Sequence, residues 1–252
     1  MAEHVRLELA ERRATITLDR PDKHNLLEID DLARFGELIE AVDAAPECRV
    51  LIITGTGAKT FCSGIAIGDI AATDWSDNPL ERLNARLERV RVPSIAALNG
   101  SVYGGACDLA LAADFRIGVE GMRLRLPAAG LGVAYNVTGM RRLVERLGLN
   151  HAKRILLAAQ ELSAEALLAC GYLDELVAPG ALEGTTDRRA RRLEELAPRA
   201  VQGMKKALNA IARGQLDESE AQATILASFA SEDAREGAAA FAEKRKPRFT
   251  GR

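Results

Sequence analysis

An α/β fold with a helical C-terminal third is predicted by three observations. Between residues 50 and 119, short apolar runs alternate with helical patterns, as in a sheet covered by helices. After residue 138 helical periodicity takes over. The third is local: Gly100-Ser-Val-Tyr-Gly-Gly-Ala-Cys-Asp108 lies between the strand-like run Ser94–Leu98 and a small-residue helix from about Gly104 to Ala112. Strand, tight turn and helix start place amides without intrahelical acceptors, and the positive end of the helix dipole, at one point, where both favour an anion. A second glycine-containing elbow, Thr60-Phe-Cys-Ser-Gly-Ile65, follows the apolar run Val50–Thr54. Two such elbows in one α/β domain suggest an oxyanion hole.

In chain order, Val5, Leu7 and Leu9 alternate with charged residues, and Ala14–Leu18 follows, which reads as a hairpin or meander. Asp19-Arg-Pro-Asp-Lys23 turns into a helix from about Glu28 to Ala44, with Ile29, Leu32, Phe35, Leu38, Ile39 and Val42 as its apolar positions and Pro46 beyond its end. Val50–Thr54 is almost wholly apolar, as in a covered sheet. Residues 68–78 carry turn signals and little period; Asp69, Asp74 and Asp77 fall there, with Trp75 as a pocket-lining or anchoring residue. A helix from Pro79 to Val90 starts with proline at a permitted position. Asp114–Val119 is a further strand candidate. Helices are then predicted over Thr138–Leu147, Asn150–Ala159, Ser163–Ala169, Asp187–Leu196, Arg199–Ala212, Glu218–Ala230 and Ser231–Lys244, with Ser163 and Ser231 as N-caps and Gly171 as a C-cap. Short helices need partners for their apolar faces, and both their own core and a second copy of the chain serve as readings.

The chain has 34 basic and 36 acidic residues, a formal charge of −2, which supplies no global pull towards nucleic acid or an anionic membrane. Arg188, Arg189, Arg191 and Arg192 alternate with Glu194 and Glu195 as on a solvated helix face. Cysteines 48, 62, 107 and 170 and histidines 4, 24 and 151 lack metal-ligand spacing and do not suggest a disulfide scaffold. Cys62 and Cys107 flank the elbows without a histidine partner and read as small packing residues. The start, MAEHVRLELAERR, resembles neither a secretion signal nor a membrane span, so a cytoplasmic protein is expected.

The spacing of the two elbows, the helical C-terminal third and the ending Ala240-Phe-Ala-Glu-Lys-Arg-Lys-Pro-Arg-Phe249 resemble the enoyl-CoA hydratase/isomerase, or crotonase, superfamily over essentially the whole chain. The resemblance implies a crotonase-like spiral ββα core (residues 1–195), a helical C-terminal trimerisation region (196–252), trimers or paired trimers, an acyl-CoA thioester substrate and no separate cofactor. It places the oxyanion hole at the backbone N–H groups of Ile65 and Gly105. Candidate CoA contacts are Arg20 and Lys23, the backbone of Cys62 and Ser63, and Phe241 with Lys244.

The acids depart from the family pattern. Hydratases of the family carry glutamates at the positions of Asp108 and Ala128, and here the second carboxylate is missing. Gly-Ser-Val-Tyr-Gly-Gly-Ala, Leu131-Gly-Val-Ala-Tyr-Asn136 and Ser231-Glu-Asp are similar to the methylmalonyl-CoA decarboxylases of the superfamily. Loss of CO2 forms the enolate without removing a carbon-bound proton, so decarboxylation of a malonyl-type thioester is the leading expectation. Tyr135 is then a group that orients the carboxylate or delivers a proton, with aromatic packing as its other reading. Those decarboxylases carry histidine where this chain has Ile65, and the family Gly-x-Asp has become Gly64-Ile-Ala66. The alternative is a non-standard hydratase or isomerase of an enoyl- or cyclic dienoyl-CoA using Asp108, which otherwise holds the oxyanion turn by hydrogen bonding. A third reading is a catalytically silent CoA-binding protein.

Overall fold

The computed structural model describes residues 4–66, 68 and 74–252. β1 (Val5–Ala10) and β2 (Arg13–Leu18) form the expected antiparallel hairpin, in register from Val5 with Leu18 to Ala10 with Arg13. Glu28 opens α1 (Ile29–Ala44): it caps the helix reciprocally with Asp31, and its own amide donates to Asp31 Oδ2 at 2.9 Å. Leu32, Phe35, Leu38, Ile39 and Val42 recur at helical spacing and face the core.

Three ββα units follow, each giving one strand to each of two sheets. β3 (Val50–Gly55) and β4 (Thr60–Cys62) precede α2 (Pro79–Arg89). β5 (Ser94–Leu98) and β6 (Ser101–Tyr103) precede α3 (Gly105–Ala112). β7 (Phe115–Val119) and β8 (Arg123–Arg125) precede α4 (Val137–Leu156). β9 (Leu162–Ser163), α5 (Ala164–Ala169) and β10 (Glu175–Val177) complete the sheets. The larger sheet has the order β1-β2-β3-β5-β7-β10 and is parallel from β2 onward; the smaller runs β4-β6-β8-β9. Because β4 pairs with β6, and β6 with β8, in parallel, the turn after each short strand lies beside the turn of the next unit. This is the repeating ββα core the resemblance implies.

The central strands are apolar on both faces because helices cover the larger sheet: Leu51, Ile53, Ile95, Leu98 and Ile117 are all buried, with Phe35, Ile39 and Leu87 packed in the same core. The C-terminal part is helical: α6 (Leu182–Glu194), α7 (Pro198–Ala212), α8 (Glu218–Phe229) and α9 (Glu232–Ala242). Met204, Leu208, Ile211, Ile225, Leu226 and Phe229 leave apolar side chains of α7 and α8 exposed. Ser163 and Ser231 cap α5 and α9 as expected, and Gly148 (φ +76°, ψ 160°) breaks α4 between the two helices predicted there. One correction is larger: α6 starts at Leu182, five residues before the predicted Asp187, because Leu182 and the buried Thr185 and Thr186 dock its first turn on the sheet side.

Asn25 ties this frame together behind the first elbow. It is buried in the left-handed region (φ +54°), which asparagine tolerates. Its Nδ2 donates to the carbonyls of Thr56, Thr60 and Phe61 at 2.9–3.1 Å, and its Oδ1 accepts from the Arg20 N–H at 3.0 Å. Asn25→Ala strands buried polar groups on both connected segments, each costing about 1–3 kcal/mol. Urea unfolding is expected to show a loss of roughly 3 kcal/mol, where a surface substitution costs under about 0.5 kcal/mol.

Candidate active site

The two elbows meet. After β4 the chain turns through Gly64 at φ +96°, where a Cβ would stand 2.9 Å from the Tyr103 carbonyl and 3.1 Å from the Gly105 nitrogen. Only glycine allows that approach. The bridge between Leu27 and Ile65 is made by Leu27 N to Gly64 O and Ala66 N to Leu27 O, both at 2.9 Å, so it passes either side of the Ile65 amide without engaging it. After β6, Gly104 (φ +55°) caps α3, and the Gly105 N–H is the first of that helix, where no intrahelical acceptor exists. Ile65 and Gly105 both border one cavity of about 690 Å3, in which Leu80, Leu126, Leu131 and Val133 supply apolar wall.

Asp108 is not among that cavity's lining residues but lies behind it, its Oδ2 beside Gly139 with the lining residues Tyr135 and Asn136. It is fully buried in α3 and accepts from Asn84 Nδ2 at 2.8 Å and from Arg142 Nη1. Arg142, on α4, also donates to both oxygens of Glu88 on α2, at 2.7 and 3.0 Å; Arg213, just past α7, donates to Glu88 as well. Burial pushes the Asp108 carboxyl above the ordinary aspartate value against the pull of Arg142 and Asn84. Burial works the same way on Glu88, but there Arg142, joined by the charges of Arg213 and Arg146, outweighs it and holds the carboxyl below the usual glutamate range. Glu88 and Asp108 together keep the Arg142 guanidinium above its ordinary value despite burial.

Other predicted residues are brought to the cavity. Ser63, Ala128 and Tyr135 line it. The Tyr135 hydroxyl is buried beside the Asn136 side chain without a well-formed hydrogen bond; burial, then the charge of Asp108, keeps the phenol well above its ordinary value and therefore protonated. Cys62 is buried and its thiol pushed up to about 12 by desolvation, and Cys107 is raised likewise, so neither offers a thiolate. Trp75 lines the cavity, whereas Asp74 caps the Ser76 amide and Asp77 pairs with Arg82, both outside the lining. Asp69 lies outside the described residues.

Of the CoA candidates, Arg20 is buried and committed to Glu28 at 2.9 Å, while Lys23 is exposed. Phe241 and Lys244 are exposed at the end of α9. None of these four is in the cavity lining. One lining residue escaped the sequence reading: Glu81, in the first turn of α2, whose Oε1 accepts from the Thr138 N–H at 3.4 Å. Its signal is the spacing of Glu81, Asn84 and Glu88, a polar stripe at i, i+3 and i+7 among the buried leucines 80, 83 and 87.

Residues 10–252 match the enoyl-CoA hydratase/isomerase family. The short-chain-enoyl-CoA hydratase of Clostridium acetobutylicum is 31% identical, over 96% of this chain and 96% of that protein. The crotonyl-CoA hydratase of Syntrophomonas wolfei is 32% identical, over 98% of each. The crystal structure of an enoyl-CoA hydratase from Bacillus anthracis superposes with a TM-score of 0.88 at 27% identity, covering 99% of this chain and 100% of that one. The chain belongs to the enoyl-CoA hydratase/isomerase family, and its ββα core is crotonase-like. None of these relatives is named a methylmalonyl-CoA decarboxylase, so the resemblance holds at the level of the superfamily.

Arg142→Met leaves Asp108 without its cation and Glu88 with one partner fewer, and is expected to cost about 3–5 kcal/mol by urea unfolding. Because the folded Glu88 value is depressed, its contribution is present above the unfolded glutamate pKa and fades as pH falls through the lower folded value; Arg142→Met should shrink that acid dependence. Tyr135→Phe removes a buried hydroxyl without a partner, so thermal unfolding of the free protein should show unchanged stability or a gain of roughly 1–2 kcal/mol.

Proposed function

We propose that this protein reversibly hydrates a small enoyl-CoA thioester through an enolate held by the backbone N–H groups of Ile65 and Gly105. The observation that carries this reading is the convergence of both elbows on one largely apolar cavity that also receives a carboxylate, Glu81. Preorganised amides in such a cavity stabilise charge developing on the thioester oxygen far better than water does. Water adds to the β-carbon as the double-bond electron pair moves to that oxygen, and protonation of the α-carbon restores the carbonyl. The decarboxylase expectation rested on a missing acid at position 128. A carboxylate at the cavity removes that reason, and the hydratase names of the relatives favour hydration.

Asp108 enters as a positioning residue in the first turn of the helix that begins at Gly105, held there by Asn84 of α2 and Arg142 of α4. Lys23, being uncommitted to an internal carboxylate, is favoured over Arg20 for a CoA phosphate; Ser63 borders the cavity, the Cys62 backbone is retained as its neighbour, and Phe241 and Lys244 are retained as contacts supplied through assembly. The exposed apolar faces of α7 and α8 support a homotrimer or a dimer of trimers. Double-bond isomerisation is the second reading, favoured because a single carboxylate suffices to take a proton from one carbon and return it two carbons away.

Mass-resolved turnover of crotonyl-CoA, a 3-enoyl-CoA, malonyl-CoA and methylmalonyl-CoA tests this. The expected result is a gain of water by crotonyl-CoA with no CO2 released from either malonyl thioester. Isomerisation of the 3-enoyl substrate alone selects the second reading, and CO2 release without hydration overturns both.

A further inference from the structure

The cavity holds an acid that neither family position supplies. Among the described lining residues Glu81 is the only carboxylate. α2 presents Glu81, Asn84 and Glu88 on one face, and that face meets α4 and Asp108 in a ladder. Glu88 takes Arg142, Asn84 donates to Asp108 Oδ2 at 2.8 Å, and Glu81 receives the Thr138 amide at 3.4 Å. Asn84 and Glu88 are buried: Glu88 is engaged by Arg142 and Arg213, and Asn84 gives its Nδ2 to Asp108 while its Oδ1 has no partner among the described residues. Glu81, one turn nearer the helix start, is partly exposed and borders the cavity.

Its position is set from two sides. A Cβ on Gly105 would stand 2.8 Å from Leu80 Cδ2, so the residue before Glu81 packs directly on the second elbow. Thr138 lies in the first turn of α4, whose amides and dipole favour an anion beside them. Glu81 is thus carried by a turn that touches the second elbow, and its Oε1 is met from the opposite side by the Thr138 N–H at the start of α4.

We propose that Glu81 is the proton-transferring catalytic residue, doing the work that neither Ala128 nor the enclosed Asp108 performs. Its carboxylate takes a proton from the attacking water while the water oxygen bonds to the β-carbon and the C=C pair moves onto the thioester oxygen. The carboxylic acid so formed returns that proton to the α-carbon as the enolate collapses. One water is consumed, and the carboxylate is regenerated. This inference rests on the enoyl-CoA reading above.

The test uses the full chain as wild type, Glu81→Gln, Glu81→Asp and Asp108→Asn in two assays. One is crotonyl-CoA hydration across pH; the other is exchange of the α-proton of butyryl-CoA in D2O, which needs an enolate but no alkene. Glu81→Gln is expected to lower kcat and the exchange rate by about 10²–10⁴-fold with KM little changed, and to abolish the acid limb of the kcat profile. Glu81→Asp should recover part of the rate, whereas a structural role would leave the acid limb in place. Wild-type rates in Glu81→Gln overturn the proposal, as does loss of exchange in Asp108→Asn alone. If the wild type exchanges without hydrating, the hydratase reading fails while the exchange assay still decides Glu81; if it does neither, both fail.

Discussion

The contact between the two elbows is the constraint on which the rest of the site depends. The amides of Ile65 and Gly105 border one cavity only because Gly64 has no side chain and turns at positive φ against the Tyr103 carbonyl and the Gly105 nitrogen. The ββα repeat makes that contact available. Each unit ends its second strand in the smaller sheet, and β4 beside β6 in parallel sets the two following turns side by side. Asn25 then fixes the first turn from behind, and the Ser63 amide donates to the His24 carbonyl at 3.0 Å. Backbone position, the property the amides need, is determined by sheet register and a knot of buried hydrogen bonds.

A second constraint fixes the helices around that frame. Arg142 is buried between Asp108 of α3 and Glu88 of α2, and Arg213 and Asn209 bring the end of α7 onto Glu88 and its carbonyl. Burying such charges costs several kcal/mol per ion before pairing, so the cluster is weak evidence of net stability. Its physical effect is specificity of arrangement: rotating α2 by one residue would unpair Glu88 and Asn84 together. The same rotation would turn Glu81 off the cavity. The helical C-terminal region is therefore linked, through one carboxylate, to the helix that lines the site.

Much of this was legible in the sequence. Both elbows, the hairpin, α1, the serine caps and the break at Gly148 follow from glycine placement, periodicity and capping chemistry. The strands β4, β6, β8, β9 and β10 were not, because two or three residues cannot display a period of two. Asp108 was visible as a residue but not its enclosure, since Asn84 and Arg142 lie 24 and 34 positions away. Glu81 was harder still. An acid in the first turn of an amphipathic helix reads as a solvated dipole partner, and only packing against Thr138, 57 positions on, places it at the cavity.

This division has a consequence for how reactions are read from such a fold. In the proposed hydration, the electrophile-binding half of the site is backbone and follows from the turns themselves. The proton-handling half is made of side chains, and any helix or turn bordering the cavity can carry it. Alanine at position 128 therefore leaves both amides in place, and Glu81 on α2, next to the Leu80 that packs on the second elbow, brings an acidic side chain to the same cavity. The surroundings of Glu81 are set by α2 against α4, whereas the placement of the two elbow amides is set by β4 against β6. The two packing interfaces meet at the cavity and at Leu80, so in the proposed hydration the proton chemistry follows the residues lining the cavity more closely than the position in the chain where an acid is expected.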